Sequence, residues 1–172
     1  MEIKKVVWAA MLAALSIVID FTFNMIIPVQ TMGTPYYAIP IIIAAIFLGP
    51  KYSIMIAFLG DLVTVLITPG VTFLPLFALA SIMWGVIPGL LLKNNKKFIN
   101  ILLVVLITHL AVTSINSLAL FVHYHKSVTG LMVDLPLRLG LIIPNTLIIS
   151  MLVEAVLTPV DSRITFIDKA IN

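Results

Sequence analysis

The sequence contains no cysteine and very little charge: 10 Lys and Arg and 7 Asp and Glu in 172 residues, 10% of the chain. Without cysteine there is no disulfide scaffold, no thiolate metal site and no thiol nucleophile. Soluble domains carry charge on about a quarter of their residues, because a core needs a wetted surface. So sparse a charge excludes a water-soluble globular protein, a disordered tail and an ordinary nucleic-acid binder. Energy and hydrolysis motifs are missing too. There is no GxxxxGK[ST] phosphate loop, no HExxH and no GxSxG elbow around any serine. The chain therefore cannot power transport with ATP by itself, and an enzyme is the weaker class.

What is present is apolar: 62% of the residues are aliphatic, aromatic or Met. The class this leaves is an integral membrane protein. About 20 apolar residues cross the roughly 30 Å hydrocarbon layer as a helix. Six such runs are bounded by Pro, Gly, Asn or Lys. They extend from Val6 to Ile27, Tyr36 to Leu48, Tyr52 to Thr68, Phe73 to Leu92, Phe98 to Val122, and Leu135 or Pro136 to Leu157, with Pro159 closing the last. The second is short, which suggests tilt or partial burial. No cleavage site follows the first run, which is expected to stay as a span. The expected architecture is all-α, a single six-helix transmembrane domain over residues 1–172.

Basic residues orient it. With a cytoplasmic N-terminus, the inner loops hold Lys4, Lys5, Lys51, Lys93, Lys96, Lys97, Arg163 and Lys169, and the outer ones Lys126 and the edge residue Arg138. Both termini are then cytoplasmic. These charges suit loops and anionic headgroups rather than nucleic acid.

Polar side chains are costly in lipid unless they face protein or water, so their depth is informative. The outer half carries Asp20, Asn24, Asp61, Thr64, Thr68, Asn116, Arg138 and Asn145, whereas the inner half has mainly His109 and Glu154. That asymmetry predicts a cavity open to the outside. Tyr36, Tyr37, Phe73, Phe77, Trp84 and Tyr124 lie at the same level and are candidate walls, although aromatic residues near span ends also form interfacial belts. The expected ligand contacts are Arg138 for a carboxylate, with pairing to Asp134 or snorkelling to headgroups as its alternative, Asn116 and Asn24 for polar recognition, Asp20 or Asp61 as partner of Arg138 in the empty site, and Tyr37, Phe73, Phe77 and Trp84 as wall. His109 reads as a structural histidine. His123 and His125 alone are a weak metal signal, and no metal or cofactor is expected.

In the first span, Ala9 with Ala13 and Ala10 with Ala14 stand four apart and permit close approach of another helix. They are read as a partner interface near the cytoplasmic end.

The ordered set of an Ala-rich first span, Tyr37-Ala-Ile-Pro-Ile-Ile-Ile-Ala-Ala-Ile-Phe-Leu-Gly-Pro50, Gly60-Asp61-Leu62, Thr72-Phe-Leu-Pro75, Gly85, Asn116 and Leu135-Pro-Leu-Arg138 resembles the substrate-binding S component of energy-coupling factor (ECF) vitamin transporters, closest to the folate-family branch. The resemblance runs from about Lys4 to Leu157. It implies a bundle in the bacterial plasma membrane that captures a vitamin outside and topples to deliver it inward. It also implies partners, a transmembrane coupling subunit and two cytoplasmic ATPases, with Ala9, Ala10, Ala13 and Ala14 matching the coupling-subunit contact. Where many folate-family members carry an Arg near the start of the second span and a Lys-Gln pair after the Arg of the last, this chain has Gly33-Thr34-Pro35-Tyr36 and Leu139-Gly140-Leu141. Folate and pantothenate are therefore both expected candidates. An autonomous ion-coupled transporter and a membrane assembly protein without a ligand site are the alternatives.

Overall fold

The computed structural model describes residues 2–26, 34–92, 96–125 and 128–171. Six α-helices account for nearly all of them: α1 (Glu2–Ile26), α2 (Ala38–Phe47), α3 (Pro50–Ile67), α4 (Pro75–Leu91), α5 (Phe98–Leu120) and α6 (Val128–Ile171). A π-helical turn, Phe121–His125, follows α5. Pro50 and Pro75 open α3 and α4, where the missing N–H costs nothing because the first turn has no acceptor for it. Gly49 joins α2 to α3 at φ 87°, a left-handed conformation that a Cβ would oppose.

Four helices are long and apolar enough to cross a bilayer, over Ile3–Ile26, Pro50–Ile67, Phe98–Tyr124 and Met132–Pro159; α2 and α4 are shorter. The ten residues of α2 rise only about 15 Å, half the hydrocarbon thickness. The sequence also led us to expect the last helix to begin near Leu135 and close at Pro159. Instead α6 starts at Val128 and continues through Pro136, Pro144 and Pro159. Proline in a membrane helix is tolerated when the freed backbone groups find other partners. Of the expected loops, residues 30–33, Lys93 and Lys126 lie outside the described residues.

The helices pack in the order α1, α3, α4, α5, α6, each against the next, while α2 touches α1, α3, α4 and α6. Its Pro40 and every residue from Ile41 to Ile46 are buried. A helix apolar all round belongs inside, and α2 forms the centre of the bundle. Trp84, Ile101, Val105, Ile149 and Val153 complete the core around it. The outward faces are apolar as well, with Trp8, Met11, Val18, Leu66, Val133 and Ile143 all exposed. This inverts the soluble pattern and suits a multi-pass membrane protein. α1 is the most peripheral helix, with 6% of its most apolar window buried.

Small residues set the closest helix contact. A Cβ on Gly85 would come within 2.7 Å of the Ser53 carbonyl carbon, and one on Gly89 within 2.9 Å of Pro50. Ser53 Oγ donates to the Gly85 carbonyl at 3.0 Å across the same seam of α3 and α4. Gly85→Ala must push these backbones apart. Overpacking of this kind costs about 1–3 kcal/mol, so the melting temperature in detergent should fall by several degrees.

Candidate ligand-binding cavity

One end of the bundle is polar, and a cavity of about 160 Å³ opens there. α1 contributes Asp20 and Asn24, and α3 contributes Asp61, Thr64 and Thr68. Phe77 and Ser81 come from α4, Asn116 from α5, Tyr37 from the turn before α2, and Tyr124 from the π-helical turn. The spacings explain the arrangement. Residues three, four or seven apart share one helical face, so α1 and α3 each present a short polar stripe inward, and α4 turns Phe77 and Ser81 to the same side. The opposite end carries Lys4 and Lys5 on the first turn of α1 and Lys51 on that of α3, with Lys96 and Lys97 before α5. There Lys96 Nζ stands 5.0 Å from the centre of the Phe47 ring at the end of α2.

A hydrogen-bond chain organises the cavity floor. Ser81 Oγ donates to Asp61 Oδ1 at 3.1 Å, and the Tyr37 hydroxyl lies 3.4 Å from Ser81 Oγ. Serine has one proton, so with that proton on Asp61 the Tyr37 hydroxyl is the donor to Ser81. Asn24 Nδ2 donates to Asp20 Oδ1 at 3.2 Å. The backbone before α2 is pinned by Ser16 Oγ, which donates to the Tyr37 carbonyl at 2.9 Å. The neighbouring Tyr36 packs against Phe23 with ring centres 5.0 Å apart and planes tilted by 54°, and donates to Asn145 Oδ1 on α6 at 3.0 Å.

Several polar atoms are left over. Asp61 Oδ2 and Asn116 Oδ1 are buried without a direct hydrogen bond. The Thr64 hydroxyl faces the Asp20 carboxylate but closes no short hydrogen bond, although the residue is only 2% exposed. Buried groups of this kind cost free energy unless something completes them.

The expected site residues separate into two groups. Asn24, Tyr37, Asp61, Phe77 and Asn116 line the cavity. Phe73, Trp84 and Arg138 are not among its lining residues. Trp84 is fully buried in the core, its ring 5.6 Å from that of His109. His109 in turn lies 3.3 Å from the Thr146 hydroxyl. Arg138 is buried on α6, within the field of Asp134 one turn earlier. Ser81 carries the bond to Asp61 yet was not singled out from the sequence. Its position four residues after Phe77 on the same face is the signal that finds it. His123 is exposed, while the side chain of His125 lies outside those described. Among the described residues no group of three or more His, Cys, Asp or Glu could hold a metal.

A family model for the ECF transporter substrate-specific component matches residues 4–160. The chain belongs to this family. No curated protein and no solved structure matches it. ECF substrate-specific components are transporter subunits rather than enzymes, and they work with a membrane coupling subunit and ATPases. In an ECF component the place to seek substrate is a polar hollow among apolar helices, and this bundle has one at the end opposite Lys4, Lys5, Lys51, Lys96 and Lys97.

Proposed function

We propose that this chain captures a small water-soluble vitamin from outside the bacterial plasma membrane in the cavity between Asp20, Asp61, Asn116 and Tyr37. A coupling subunit and two ATPases then drive its inward delivery by toppling of the bundle. The observation that carries this is the gathering of hydrophilic groups from α1, α3, α4 and α5 at one end of an apolar bundle, with buried polar atoms that lack partners. The lysines at the other end support cytoplasmic termini by the positive-inside rule, which puts the cavity mouth outside. Ala10 and Ala14 are exposed on α1 and suit the coupling-subunit contact, whereas Ala9 and Ala13 pack towards the core of their own bundle.

The test is uptake into proteoliposomes. Ligand is extracted from the purified protein, identified by mass spectrometry and supplied labelled, with folate and pantothenate as further candidates. Uptake should require the coupling subunit, both ATPases and ATP. Uptake by this chain alone on an ion gradient would instead show an autonomous transporter, and absence of any ligand would favour an assembly protein. Because Arg138 is not a lining residue, Arg138→Ala should change affinity by less than about twofold while lowering the melting temperature. An affinity loss of tenfold or more would return Arg138 to the site.

A further inference from the structure

The charge of the lining residues constrains the ligand. Asp20 and Asp61 both face the cavity, and among the described residues no Lys, Arg or His lines it. The two carboxylates feel each other's charge. An anion entering this space would meet like charge at low dielectric, with no cation among the described lining residues to offset it. Two buried acceptors at the cavity also lack a direct partner. Asp61 Oδ1 is occupied by Ser81, while Asp61 Oδ2 and Asn116 Oδ1 are free acceptors shut away from solvent. Tyr37, Phe77 and Tyr124 supply aromatic faces on the same walls. Carboxylates beside aromatic faces form a well-matched environment for a cationic nitrogen.

We propose that the captured nutrient is a small organic cation, a protonated amine or a positively charged nitrogen heterocycle, whose N–H groups or charge are met by Asp61 and Asp20 and whose flat body lies against Tyr37 and Phe77. This rests on the vitamin-capture reading and specifies its substrate class. It sets aside the anionic vitamins folate and pantothenate. The buried Thr64 hydroxyl and the aromatic walls distinguish the site from a bare pair of acids. An inorganic ion is the poorer occupant, because the described residues offer no third carboxylate, His or Cys to complete a coordination sphere.

The experiment has two independent arms. In the first, ligand retained by the wild-type protein is identified by mass spectrometry and its charge at neutral pH assigned. In the second, calorimetric titrations use thiamine and pyridoxamine as cations, pyridoxine as a neutral analogue, and pantothenate and folate as anions. The expected results are a cationic retained ligand, binding of a cationic probe and not of the anions, and a dissociation constant about tenfold or more weaker in both Asp61→Asn and Asp20→Asn. Asp61→Glu should keep part of the affinity. A neutral or anionic ligand, an unchanged dissociation constant in both Asn variants, or displacement of the ligand by sodium or calcium chloride at constant ionic strength would overturn the charge assignment while leaving vitamin capture standing. If cells yield no retained ligand and no probe binds, vitamin capture itself fails, and the charge assignment with it. The mass-spectrometric arm uses unaltered protein, so a variant that does not fold cannot rescue the proposal.

Discussion

Replacing Asp20 and Asp61 together by asparagine is expected to raise the melting temperature of the ligand-free protein while removing its affinity for ligand. The two carboxylates are close enough to repel, and Asp61 Oδ2 is buried without a direct partner. Asparagine keeps the shape and removes both charges. A site kept poised for ligand commonly gives up about 0.5–2 kcal/mol per position, and each kcal/mol corresponds to about 2–4 °C in a chain of this size. Scanning calorimetry or thermal-shift curves at pH 7 on both proteins test this. A double variant less stable than wild type at pH 7 would mean that the acids are held by partners within the protein and are not waiting for a ligand.

The second large effect concerns α1. Ala10 and Ala14 are exposed, whereas Ala9 and Ala13 are partly buried against the core. Leucine at Ala10 and Ala14 adds bulk only on the outward side, where a close helix contact with the coupling subunit would be forced apart. Co-purification of that subunit, and ATP-driven uptake with it, should fall by at least about tenfold, while ligand binding by the isolated chain stays within about twofold. Leucine at Ala9 and Ala13 should act differently, lowering the melting temperature of the chain itself through overpacking. Undiminished assembly with leucine at Ala10 and Ala14 would move the partner surface elsewhere.

Helix existence and depth were legible in the sequence, and direction around the helix was less so. Pro50, Pro75 and the Gly49 turn mark element edges through local stereochemistry, and the helices begin where those residues permit. The end of the last helix was not legible. Pro159 breaks a helix in water, but within a packed bundle the outcome depends on what completes the freed backbone groups. The same distinction separates the site residues. Asp20, Asn24, Asp61 and Asn116 stand at one depth because chain order fixes it, and Arg138 stands near that depth as well. Whether a side chain points to the cavity or to another seam depends on how each helix is rotated by its neighbours. Arg138 lies beside Asp134 and Trp84 is sealed in the core for that reason, while Ser81 reaches Asp61. The burial of α2 was foreshadowed by its lack of any polar residue between Ala38 and Phe47.

One consequence follows from the seating of α1. This rod leans on α2 and α3 and, among the described residues, makes no contact with α5 or α6, yet it supplies Asp20 and Asn24 near one tip and the exposed Ala10 and Ala14 nearer the other. A lever with a loose fulcrum transmits tilt along its whole length. A partner that tilted the alanine end would move the acid and amide at the far end, and by reciprocity an occupied hollow would then change how tightly that partner is held.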